Sequence, residues 1–255
     1  MKSKHLSTEA KSAFLLIILS TGLSAQVGPP GVIVPGTEPV VQQQETYWIS
    51  ASGSVANRYV SEGVDNVPGS RFFFGEIAGG YESFTLGIWY AEAFSNAYNE
   101  INLFADYAID LDPVEIYFGV NYLYYPSDAA PESWEAYTGI EWNPLNAITL
   151  FAETFYDFDD VKGGFIETGV VGNLPLEQIS LEIQPYALLG IDYGFVSGVR
   201  RLRENNLQFG LEGDWSVTEI LSFFANINHS FALRNLDNLD KGDVSWGTVG
   251  LRLDF

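Results

Sequence analysis

Cysteine is absent from the 255 residues, which excludes a disulfide framework, a thiolate metal site and a catalytic thiol. Histidine is nearly absent, with two in the chain, so acid–base chemistry has few candidate residues. Positive charge is scarce: 12 Lys and Arg stand against 33 Asp and Glu, for a net charge of -21. Nucleic acid is therefore excluded as a partner, because phosphate binding needs clustered basic side chains. A field of this sign favours cations. Long apolar runs are missing as well. Ala13-Phe-Leu-Leu-Ile-Ile-Leu19 is too short for a transmembrane helix, which needs roughly 20 apolar residues.

That run belongs to a targeting pattern. Lys2, Lys4 and Lys11 precede it, and small and polar residues follow it to Leu23-Ser24-Ala25. This is the layout of a secretory signal peptide over residues 1–25, with cleavage expected after Ala25. Residues 26–45 are rich in proline and glycine without helical period, and they read as an extended linker.

From residue 46 the pattern becomes alternating strands with aromatic residues and glycines. About twelve are expected, near 47–59, 71–81, 84–94, 100–111, 114–125, 134–142, 147–157, 164–172, 177–189, 205–215, 221–231 and 243–255. Their length of around ten residues suits membrane-spanning strands. The connectors alternate long and short, which an up-and-down barrel with both termini on one side requires. The expected fold is thus all-β: a transmembrane antiparallel barrel over residues 46–255.

The last strand carries two signals. Gly247, Val249, Leu251, Leu253 and Phe255 share an apolar face, opposite Thr248, Gly250, Arg252 and Asp254. A terminal aromatic carboxylate after such a strand resembles the signal read by the outer-membrane assembly machinery, which makes Phe255 the candidate assembly signal. Trp134 and Trp142 share an outward face eight residues apart, roughly 26 Å at about 3.3 Å per residue. That fits the separation of the two aromatic girdles.

If apolar faces meet lipid, parity points the alternating acids inward. The expected pore lining is Glu76, Asp106, Asp110, Glu115, Glu135, Glu141, Glu153, Glu182, Glu212 and Asp214, with Asp254 and the basic exception Arg252. Gly75, Gly119, Gly139, Gly210 and Gly250 are expected inside, leaving room. Such a wall lowers the energy of cations, so a cation-preferring diffusion channel for small hydrophilic ions or solutes is expected, in the outer membrane of a Gram-negative-type bacterium. No connector is long enough to suggest a plug. Arg200, Arg201 and Arg203 form the one basic cluster, which suits either an inward constriction or contact with lipopolysaccharide.

Two alternatives stand beside the channel. One is a structural or adhesive barrel read through its loops. The other is an outer-membrane lipase or protease, which needs a base beside a nucleophile. His229 is expected to face outward and Ser230 inward, so those two cannot pair. No catalytic residue, cofactor or metal is expected: the acidic stretches at Asp157–Asp160 and Asp237–Asp243 lack the glutamate that completes a twelve-residue calcium loop. Lipids and lipopolysaccharide are the expected surroundings.

Ser54-Val-Ala-Asn-Arg-Tyr59-Val-Ser-Glu-Gly63 resembles a Ser-x-Tyr-x-x-x-Gly region of the TorF-type porins. Gly119-Val-Asn-Tyr-Leu-Tyr-Tyr-Pro126 with Trp134-Glu-Ala-Tyr-Thr-Gly139 resembles their tyrosine-rich strand and return. The resemblance covers residues 46–255 and implies an outer-membrane porin of about twelve strands, without a particular substrate. Where that family tends to carry arginine before the glycine, this chain has Glu62.

Overall fold

The computed structural model describes residues 47–255 except Asn96 and Asp128, together with a short backbone pairing of Gln26–Val27 with Ile33–Val34. The expected signal peptide lies outside the described residues, as does most of the linker.

Twelve antiparallel strands close into a barrel. They are β1 (Tyr47–Ala56), β2 (Phe72–Tyr81), β3 (Phe84–Ala93), β4 (Asn99–Asp110), β5 (Val114–Tyr124), β6 (Ser133–Leu145), β7 (Ile148–Asp157), β8 (Gly164–Gly172), β9 (Leu181–Tyr193), β10 (Arg203–Ser216), β11 (Leu221–Ala232) and β12 (Val244–Asp254). Each strand pairs with its neighbours in sequence. The seam is made by β12 against β1, from Thr248 opposite Ala56 to Asp254 opposite Ser50. Phe255 extends it: its N–H donates to the Ile49 carbonyl at 2.8 Å, and the Ile49 N–H donates back at 3.1 Å. Closure removes free strand edges, which hydrocarbon cannot satisfy.

The largest departures from the expected boundaries are in β1, β6 and β9, which end at Ala56, Leu145 and Tyr193 in place of 59, 142 and 189. β1 stops at Ala56 because the chain then leaves the wall and turns inward. β9 begins at Leu181, not 177, because Glu177–Ile179 forms a 3-10 turn that ends on Ser180 in the left-handed region.

The alternation in the sequence becomes the two faces of the wall. In β6, Ser133, Glu135, Tyr137, Gly139 and Glu141 point in, while Trp134, Ala136, Thr138, Ile140 and Trp142 point out. Ile49, Ile77, Leu86, Leu103, Phe118, Leu211, Ile227 and Val249 are all exposed on the outer surface. A continuous apolar surface of this kind is matched to hydrocarbon, as in transmembrane barrels. No helix among the described residues is long and apolar enough to cross a membrane.

Candidate channel lumen

Every acid expected on the lining takes the inward position of its strand. Glu76, Glu135, Glu141, Glu212 and Asp214 are buried. Asp106, Glu115, Glu153 and Glu182 are partly buried, and Asp110 is exposed at the short-turn end. Phenols and amides hold several of them in place. Tyr117 donates to Glu153 Oε2 at 2.6 Å, Tyr137 to Asp106 Oδ2 at 3.3 Å, and Asn121 Nδ2 to Glu135 Oε2 at 3.3 Å. The wall contains further acids that the sequence reading missed: Glu100 on β4, Glu167 on β8 and Asp192 on β9 are all buried. Strand parity could have found them, since Glu100 is in phase with Asn102 and Asp106.

Strands β1 to β9 carry no lysine or arginine. Arg252, on β12, is paired on both sides, with Asp214 Oδ2 at 2.9 Å and Asp254 Oδ2 at 3.1 Å. Arg200 and Arg201 are exposed in connector 194–202, and Arg203 opens β10 opposite Asp192.

The glycines do not leave open space as expected. Four of them, Gly119, Gly139, Gly210 and Gly250, each make a flat seat for an aromatic ring on the neighbouring strand. A Cβ at Gly139 would lie 2.2 Å from Tyr117 Cζ, one at Gly119 2.3 Å from Tyr137 Cζ, and one at Gly210 2.1 Å from a Tyr186 ring carbon. Phe224 covers Gly250 in the same way. Gly75 faces outward, because Glu76 beside it points in. With Gly53 and Ala51 it forms a shallow apolar groove on the outer surface, also lined by Ile77, Ile88 and Leu251.

The first connector, 57–71, is too short for a plug domain, yet it turns into the lumen. Ser61 pairs with Val64, and Glu62 and Gly63 form the two-residue tip with φ of +46° and +72°. Positive φ at both positions is the signature of the tight turn that matches strand twist. This hairpin crosses the lumen. Tyr59 donates to Glu100 Oε2 on β4 at 3.0 Å, and Asn205 Nδ2 on β10 donates to the Glu62 carbonyl at 2.6 Å. Val60 packs with Val244 and Trp246 of β12. Gly63 approaches Asn206 and Ser230 so closely that a Cβ there would meet them at 2.8 and 3.0 Å. Tyr59, Phe72, Phe74, Trp89 and Tyr98 form the ring cluster that anchors its base. Individually unremarkable turn residues give no signal that this segment points inward, because its partners lie 41 positions away at Glu100 and 143 away at Asn205.

Glu62 is consequently 5% exposed, and its Oε1 is buried without a hydrogen-bond partner among the described residues. Burial pushes its carboxyl well above the ordinary range. Repulsion from Glu167, Glu135 and Glu100 adds to this, against a stabilising hydrogen bond from Ser61. Glu135 Oε1, Asn102 Oδ1 and Asn121 Oδ1 on the facing wall are likewise buried acceptors without a donor.

His229 faces outward as expected, and its Nδ1 lies 2.7 Å from Ser245 Oγ on β12, a pairing the sequence reading did not consider. Its ring packs edge-on against Phe231 at 4.2 Å. Among the described residues no carboxylate or amide hydrogen-bonds to the other ring nitrogen to orient it, as a triad requires. One acid of each acidic stretch accepts nearby backbone N–H groups. Asp157 Oδ1 accepts the N–H groups of Asp159, Val161 and Lys162, and Asp243 accepts that of Ala232. No group of three or more possible metal ligands gathers among the described residues.

No family model matches the chain, and no curated protein matches its sequence. Among solved structures it is similar to the KdgM porin in complex with disordered oligogalacturonate, at 9% identity over 82% of this chain and 99% of that one, with a TM-score of 0.53. It is also similar to the NanC porin, at 9% identity over 80% and 98% of the two chains, with a TM-score of 0.54. At such identity the likeness is one of fold: this chain has the closed twelve-stranded barrel architecture that those porins share.

Proposed function

We propose that the barrel is an outer-membrane channel for passive diffusion of small hydrophilic solutes, with cations favoured. The observation that carries this is the sign of the wall: inward carboxylates recur from β2 to β10, while β1 to β9 hold no basic residue. In a narrow, low-dielectric tube such a lining attracts cations and raises the energy of anions. A polycarboxylate such as the oligogalacturonate named for one structural neighbour would be repelled by it. The fold shared with two porins supports the channel reading, and the apolar belt with Trp134 and Trp142 exposed on it supports a bilayer and its lipopolysaccharide as surroundings. Phe255, at the seam of the barrel, is the residue we assign to recognition by the assembly machinery.

The test is the reversal potential of the purified barrel in planar bilayers under a potassium chloride gradient. Cation selectivity is expected. Anion selectivity would overturn the role given to the acids. A second reading, a structural barrel that conducts nothing, is favoured by one feature, the hairpin across the lumen. Conductance from folded protein decides between the two.

A further inference from the structure

The first connector does more than narrow the lumen. It spans from β4 to β10, β11 and β12, and it sets a carboxylate among carboxylates. We propose that hairpin 57–71 is a proton-controlled gate, seated across the lumen when Glu62 is protonated and released when Glu62 is ionised. The proposal rests on the channel reading.

Two kinds of contact hold the seat. Tyr59 and its ring cluster anchor the base of the hairpin, and Glu100 receives the hydroxyls of Tyr59 and Tyr98 at 3.0 and 2.6 Å. These contacts do not depend on the charge of Glu62. The tip is held differently, by one hydrogen bond from Asn205 to a backbone carbonyl and by close packing of Gly63. The groups facing Glu62 offer it no cation. They are Glu100 on β4, Glu135 on β6 and Glu167 on β8, with Tyr98 and Tyr125 nearby. Across the lumen stand neutral Asn205, Asn206 and Ser230 and apolar Trp246. On the hairpin itself Arg58 is engaged by Asp65 at 3.3 Å. Two further buried acids are engaged elsewhere: Asp192 by Val196, Ser197 and Asn235, and Asp157, opposite Glu135, by Ser133, Asp159, Val161 and Lys162. An ionised Glu62 is therefore buried and repelled, with a hydrogen bond from Ser61 but no counter-ion, which is unfavourable.

The direction of control follows from linkage. The carboxyl binds its proton more tightly seated than released, so the seat is strongest at pH below the released value, about 4.3 for a glutamate in water. It weakens progressively as pH rises above that value towards the seated one. The channel should thus be shut in acid and open as pH rises.

The experiment is single-channel recording of the full-length barrel from pH 4 to 8, with folding of each variant confirmed by its heat-modifiable migration. Wild type should conduct at least several-fold more of the time at the upper end. Glu62→Gln, which cannot ionise, should remain mostly closed throughout. The chain lacks cysteine, so a Val60→Cys, Val244→Cys pair, at positions that pack together, can lock the hairpin to the wall. Oxidised, it should stay shut at every pH, and dithiothreitol should restore opening. Wild-type pH dependence in Glu62→Gln, or equal conductance of the oxidised and reduced pair, would overturn the gate while leaving the channel standing. A variant deleting residues 60–65 should conduct at every pH. Silence of that variant would overturn the channel reading and the gate together.

Discussion

At Arg252 the charge balance of the lumen turns on one side chain. It is buried, and it satisfies Asp214 and Asp254 at once. Arg252→Gln would leave both acids uncompensated, and breaking a buried pair in this way costs roughly 3–5 kcal/mol. The expected outcome is a lower urea midpoint together with stronger cation preference in the reversal potential. The seats beneath the tyrosine rings make a second prediction. Gly139→Ala places a methyl group where Tyr117 lies and pushes its hydroxyl away from Glu153. Overpacking of that kind costs about 1–3 kcal/mol. Adding Tyr117→Ala should recover much of the loss, which a double-mutant cycle in urea unfolding would measure.

Among the elements, β12 has the most assignments. Its outward row, Val249, Leu251 and Leu253, lies on the outer face, while Arg252 and Asp254 face in, and its end forms the seam with β1. Deleting Phe255 removes the proposed assembly signal and both backbone hydrogen bonds to Ile49. Slower appearance of the folded, heat-modifiable band is expected, with the selectivity of whatever barrel does fold unchanged, because Phe255 is on the outer face. Assembly at the wild-type rate would count against the signal. The hairpin at 57–71 shows the opposite case, an element defined by what it reaches. Its two-residue turn is local, but its direction is set by the anchoring of Tyr59 in a ring cluster and by a cavity that only the closed wall provides.

For the whole molecule, the sign of the lining should govern selectivity through long-range field as well as contact. Screening length falls from about 10 Å at 0.1 M salt to about 3 Å at 1 M. Cation preference should therefore shrink as salt rises at a fixed concentration ratio across the bilayer, and reversal potentials taken at two salt levels would show it. The strand count, the faces of Trp134 and Trp142, the closure of β12 on β1 and the inward parity of the expected acids were all legible in the chain. Each follows from a period of two or from connector length, which are properties of neighbouring residues. Gly75 was misplaced where parity itself should have prevailed, beside Glu76. What could not be read was how the interior fills. Tyrosine rings lie over glycines because paired strands bring them into register. Glu62 meets Glu100, Glu135 and Glu167 because a closed barrel puts strands far apart in sequence around one axis. Local alternation thus determined the wall and its two faces. The contents of the lumen, and with them the surroundings of Glu62, were decided only by closure, because contacts across the lumen join residues that no sequence period relates.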